Sequence, residues 1–128
     1  MNISLNRSVR SAFTLIEIMI VVGIIALLAA MAVPNFTRNM DNSRVTAIKS
    51  QLRAIDTAKM GWAVQERKGT GDVPNESDIA PFLQGGKMPK PVVGEVYHIE
   101  AIGSAPYATV DKPLGDYPAN QKIMVDDD

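Results

Sequence analysis

Apolar and polar positions along this chain fall into three unlike stretches. From Phe13 to Phe36 the sequence is apolar on every side, and Glu17 is its only charged residue. From Val45 to Trp62 apolar residues recur every three or four positions, at Val45, Ile48, Leu52, Ile55, Ala58 and Trp62. That spacing is one face of a helix, and Arg44, Lys49, Gln51, Arg53, Asp56 and Lys59 fall mostly on its other faces. The simplest reading joins both stretches into one helix from about Thr14 to Gln65, roughly 75 Å long at 1.5 Å per residue. Pro34 lacks an N–H and its ring crowds the preceding turn, so a kink or local break is expected there. Gly61 is a soft spot costing up to about 1 kcal/mol relative to alanine, and Gly69 with Gly71 is expected to end the helix.

The third stretch is short-range and mixed. Residues 69 to 74 read as a loop. Asn75-Glu76-Ser77-Asp78 carries cap-type residues, with Ile79, Phe82 and Leu83 following at helical spacing. This predicts a short helix stopped by Gly85-Gly86. Pro89 and Pro91 force an extended segment. Glu95 to Ile102 alternates, with Tyr97, Ile99 and Ala101 on one face, and predicts a strand. Gly103 to Pro106 makes a turn, Tyr107 to Val110 a second strand, and Lys122 to Val125 a third. The fold class is α+β: a long N-terminal helix packed against a small two- or three-stranded antiparallel sheet. Ile48, Leu52, Ile55 and Trp62 are expected to be covered by Phe82, Leu83, Tyr97 and Ile99.

Composition narrows the function. A chain of 128 residues has room for one small domain beside the apolar helix. A formal net charge of -1 argues against a nucleic-acid-binding stripe. Without cysteine there is neither a disulfide nor a thiolate metal site. His98 is the only histidine; it is expected to face solvent on a strand, with only Glu100 near it in sequence as a metal partner. No serine has the context of a nucleophile, and Gly69 to Gly71 lacks the spacing and lysine of a phosphate loop. No catalytic, cofactor-binding or metal residue is therefore assigned.

The sharpest chemistry lies at the mouth of the apolar run, in Ala12-Phe13-Thr14-Leu15-Ile16-Glu17-Ile18-Met19. A run of about 20 apolar residues can cross a bilayer as a helix. A carboxylate inside such a run is costly and marks a functional site by default. Thr14 and Glu17 stand three apart, the spacing of a capping box. Before them, Met1 to Ala12 hold Arg7 and Arg10 and no acid. A basic leader, a small residue, Phe-Thr-Leu-Ile-Glu and an apolar helix together resemble the N-terminus of type IV prepilins and pseudopilins. The resemblance is specific from about Ser11 to Phe36. Beyond that it is a general pattern of long helix and small strand-bearing head, similar to small pseudopilin heads.

The resemblance implies a structural subunit, not an enzyme, with no cofactor. A prepilin peptidase, which is also the methylase, would cut between Ala12 and Phe13 and methylate the new Phe13 amine. The family's usual residue before the cut is Gly, and Ala12 is the next smallest side chain. The family's acid falls on Glu17, which would pair with the N-terminal amine of a neighbouring subunit during assembly. The helix-kinking proline falls on Pro34. The implied division is a leader at 1–12, a transmembrane and filament-core helix at 13–36, and a pilin-like head at 37–128. Partners would be the same or other pilin-like subunits and an inner-membrane assembly platform. The chain would sit in the bacterial inner membrane with its head in the periplasm, then enter a periplasmic or extracellular filament. Some secretion pseudopilins bind calcium in the head, and Asp111, Asp116 and Asp126 to Asp128 are the acids that would do so here; a terminal acid run is more simply a solvated tail. Pilus versus secretion system, and major versus minor subunit, stay open.

Two other readings compete. Ala30-Met31-Ala32 is the A-x-A pattern of an ordinary signal-peptide cleavage site, which would leave a small secreted binding domain beginning at Val33. Against it stand Glu17 beside the apolar core and the run's passage through Pro34-Asn35-Phe36 into an amphipathic helix without a linker. The other is a single-pass membrane protein that never polymerises. Flanking charge does not orient the span, because Arg7 and Arg10 precede it while Arg38, Arg44 and Lys49 follow closely.

Overall fold

The computed structural model describes residues 12–126. Of the expected leader only Ala12 falls within them; Met1 to Ser11, and Asp127 and Asp128, lie outside the described residues. Helix α1 runs Leu15–Gln65 over 51 residues, with Pro34 inside it. The helix continues through Pro34, so of the kink or local break expected there, the break does not occur. The proline removes one backbone donor, and in the turn it disturbs the Asn35 side-chain amide donates to the Met31 carbonyl at 3.4 Å.

The end of α1 also differs in detail from its sequence signal. The helix stops at Gln65, ahead of Gly69. Arg67 takes the left-handed conformation at φ 54, and the Lys68 N–H closes onto the Ala63 carbonyl at 2.8 Å. That is a Schellman-type closure with arginine where glycine is usual.

Packing changes character along the chain and divides it into two units after Phe36. In the first, every described residue is exposed. In the second, the stripe of α1 is buried in two clusters. Val45, Ile48 and Leu52 pack with Ala108, Val110, Leu114 and Ile123 from the sheet and the connection between its last two strands. Ile55, Ala58 and Trp62 pack with Ile79 and Leu83, flanked by Met88, Ile99 and Ile102. Tyr97 borders both. The expected cover is therefore partly redistributed. Leu52 meets the sheet cluster, and Ile79 with Leu83 covers Trp62. Phe82 stays 36% exposed and lies across Gly61, where an added Cβ would stand 2.8 Å from its ring.

Helix α2, Glu76–Ile79, is a single turn. The Asp78 carboxylate accepts from the Asn75 N–H at 2.8 Å, as the cap signal requires. The expected helix then tightens into 3-10 turns at Ala80–Phe82 and Gln84–Gly86. Gly85 and Gly86 stop it with φ of 80 and 66, values that cost glycine nothing.

Strands β1 (Val96–His98), β2 (Tyr107–Thr109) and β3 (Lys122–Met124) form one antiparallel sheet in the order β1-β2-β3. Tyr97, Ala108 and Ile123 are in register on the inner face, and His98, Tyr107 and Met124 on the outer. Strand β1 is shorter than its alternation suggested. Glu100 turns left-handed at φ 60, and the bend lets both Ile99 and Ile102 reach the second cluster.

Candidate functional site

The N-terminal edge of α1 is built by two reciprocal hydrogen bonds. The Thr14 N–H donates to Glu17 Oε2 at 2.8 Å, and the Glu17 N–H donates to Thr14 Oγ1 at 3.3 Å. This is the capping box that the spacing predicted. It turns the carboxylate back toward the Phe13–Thr14 peptide and sets an anion at the positive end of the helix dipole. One N–H leaves a carboxylate with spare lone pairs, so Glu17 keeps capacity for a second donor such as an ammonium.

Ala12, Phe13 and Thr14 precede the helix and are exposed, Phe13 to 82%. The Ala12–Phe13 bond thus lies outside the hydrogen-bonded helix, in a chain segment an enzyme can reach without unwinding a turn. Ala12, Phe13 and Thr14 lie directly before the first turn that holds Glu17, whereas Pro34 stands more than four turns further along α1. Between them the helix is long and apolar enough to cross a membrane. Its large side chains are exposed, and Leu15, Ile16, Met19, Leu27 and Met31 are each more than half exposed. So much apolar surface requires a lipid or protein cover.

Two polar anchors in the head escaped sequence reading. Lys59, assigned to an outer face of the helix, is instead only 2% exposed. Its ammonium donates to the carbonyls of Ala101 at 3.0 Å and Ser104 at 2.6 Å. Burial lowers its pKa, and the charges of Asp56 and Glu100 partly offset that. The signal was present, since the spacing of Leu52, Ile55 and Trp62 admits position 59 to the same stripe. Glu95, read only as the start of a strand, is also buried. Its carboxylate accepts from the Val92 and Val93 N–H groups at 2.8 Å each and from the Tyr97 hydroxyl, which also contacts Gln51 Oε1. Burial alone would raise the Glu95 pKa, but the Tyr97 and backbone donors outweigh it and hold the carboxyl low. Burial and the neighbouring carboxylate push the Tyr97 hydroxyl well above its ordinary value. These groups hold the head together and lie far along the chain from the N-terminal site.

His98 is half-buried rather than solvent-facing. Its ring stacks on Tyr107 at 4.5 Å and an imidazole nitrogen lies 3.3 Å from Thr109 Oγ1. Among the described residues no group of three or more His, Cys, Asp or Glu side chains is placed to hold a metal ion; of the terminal acids, Asp127 and Asp128 lie outside them.

The sequence matches the prokaryotic N-terminal methylation motif over residues 7–33. It is 44% identical to the type IV major pilin protein PilA of Myxococcus xanthus over 69 residues, covering 54% of this chain and 31% of that protein. It is 44% identical over 54 residues to the type II secretion system core protein G of Pseudomonas aeruginosa, covering 42% and 38%. It is 35% identical over 86 residues to a type IV major fimbrial protein FimA of Dichelobacter nodosus, covering 56% and 54%. The chain thus spans between about a third and a half of the length of these curated relatives. No solved structure matches it.

Proposed function

We propose that this chain, whose N-terminal segment is similar to those of type IV pilins and a type II secretion core protein, is a structural subunit of a pilus-like or secretion-like filament. The observation that carries the reading is the Thr14–Glu17 box at the mouth of an exposed apolar helix. Removal of residues 1–12 by a prepilin peptidase would free the Phe13 amine one residue from the Thr14 N–H that already binds Glu17. Methylation of that amine would follow. The amine of a neighbouring copy then completes the acceptor capacity of the Glu17 carboxylate as helices gather. A charge without its partner in that apolar setting penalises every wrong stagger, which gives register.

The span at 13–36 would first anchor the subunit in the inner membrane with its head on the periplasmic side. Moving from lipid into a bundle of equally apolar helices need not cost hydrophobic free energy. An inner-membrane assembly platform would drive the transfer, with Pro34 as the place where α1 yields. The change of packing after Phe36 supports the division into core helix and head at 37–128. The chain's own side chains do no chemistry in this scheme; chemistry is done to Phe13.

Intact mass and N-terminal sequencing of the mature protein test the reading. N-methylated phenylalanine from Phe13 is the expected N-terminus, and a start at Val33 would overturn it in favour of a secreted domain. Expression of Glu17→Gln and Glu17→Ala then separates pairing from capping. Pairing requires loss of filaments from both with membrane insertion intact. A cap alone is preserved by glutamine, so normal filaments from both variants would leave Glu17 only as a helix cap.

A further inference from the structure

Charges in the stretches that follow α1 are segregated along the sequence, with Lys68 beside the acids and outnumbered by them. Gly69 to Gly86 contains Asp72, Glu76 and Asp78 and no Lys or Arg, whereas Ile79 to Gly94 contains Lys87 and Lys90 and no acid. Among the described residues none of these five charges takes part in an ion pair. Lys87 and Lys90 rim a groove of about 500 Å³ between α1 and the chain that follows α2. Leu83 and Met88 line it, and the small exposed residues Ser50 and Ala54 form its α1 wall. A backbone can approach closely there.

The acidic segment has the opposite character. Asp72 accepts from the Gly69 N–H at 2.9 Å and Asp78 from the Asn75 N–H at 2.8 Å. Both carboxylates are therefore held in place while keeping spare lone pairs, and Glu76 is exposed beside them. A ledge fixed in this way loses little conformational entropy on docking.

We propose that the groove between Ser50–Ala54 and Leu83–Lys90 receives the Asp72–Asp78 ledge of a second copy of this chain. Charge complementarity selects that occupant. Ledge against ledge and groove against groove would both juxtapose like charges, which disfavours a two-fold dimer. The ledge shares a cavity with Trp62, Glu66 and Lys68 and stays net acidic, and the groove is level with Ser50 to Ala54. The two lie about a dozen residues apart along α1, or roughly 18 Å at 1.5 Å per residue. A contact between unlike patches displaced along an axis does not close on itself and propagates as an open polymer. The inference rests on the filament reading and adds to it the head-to-head contact that sets the stagger.

Charge reversal tests it in the full-length chain, scored as sheared filament per cell. Glu76→Lys alone and Lys90→Glu alone should each cut the yield by roughly tenfold, and the two together should return it to near wild type. Rescue by the pair excludes misfolding as the cause of the single losses. Wild-type yields from both single variants, or a double variant no better than either, would overturn the contact and leave the filament reading standing. Absence of filaments from the wild-type chain would remove both.

Discussion

The ammonium of Lys59 lies 2.6 Å from the carbonyl oxygen of Ser104, 45 residues further along the chain. With its second bond to Ala101 at 3.0 Å, it clamps α1 to the connection between β1 and β2. The same connection is tied to the loop after α1 by backbone bonds, Gly71 N–H to the Ile102 carbonyl at 2.9 Å and Ile102 N–H to the Asp72 carbonyl at 2.8 Å. A head with no disulfide is closed here by a buried cation and a short backbone ladder.

Lys59→Met keeps the length of the side chain and removes both charged hydrogen bonds. It should lower the unfolding free energy by about 2–3 kcal/mol, the cost of leaving carbonyls unmatched less the gain from no longer burying a charge. Urea unfolding of the detergent-solubilised protein measures this. A loss below roughly 0.5 kcal/mol would mean the ammonium reaches water.

Glu95 makes the head sensitive to acid. Its folded pKa lies below the ordinary 4.5, so in that window the unfolded chain binds more protons than the folded one. The stability this provides is present above the ordinary value and is lost as pH falls through the folded value. Thermal midpoints taken between about pH 6 and pH 3 should fall more steeply for the wild type than for Glu95→Gln. Parallel curves would show that the carboxylate is not held by Val92, Val93 and Tyr97.

Leu52 is fully buried in the cluster shared with Ala108 and Ile123. Leu52→Ala should cost about 2–5 kcal/mol by denaturant unfolding. Phe82→Ala should cost clearly less, because a third of that side chain is already in water. Equal losses would place Phe82 in the core after all.

Gly61 and Phe82 should be energetically coupled. Alanine at 61 improves helix propensity by up to about 1 kcal/mol, but its Cβ would press on the Phe82 ring at 2.8 Å. Gly61→Ala should therefore stabilise the Phe82→Ala protein more than the wild type. A double-mutant cycle with no interaction energy would separate the two sites.

The N-terminal site was legible because its physics is local. The Thr14–Glu17 box closes within one turn, and an unbroken apolar run needs no tertiary information to be recognised. The stripe from Val45 to Trp62 followed from period alone. Gly61 illustrates where this stops: its weakness as a helix former was readable, but the ring that occupies the space was not. Phe82 itself was misplaced because helical spacing from Ile79 assumes the turn stays α, and the chain tightens to 3-10 at Ala80–Phe82.

The sequence by itself determined the long helix, the α+β class and the position of the carboxylate at the mouth of the span, since each depends on residues within a few turns of one another. Only the tertiary structure decided that Lys59 and Glu95 are interior anchors, that His98 stacks on Tyr107, and which side chains cover Trp62. The physical reason is that the environment of a charged or aromatic group is set by its partners, and those of Lys59 lie 42 and 45 residues away. A pattern can show which way a side chain faces on its own helix. Whether that face meets water or two carbonyl oxygens is fixed when the distant loop arrives.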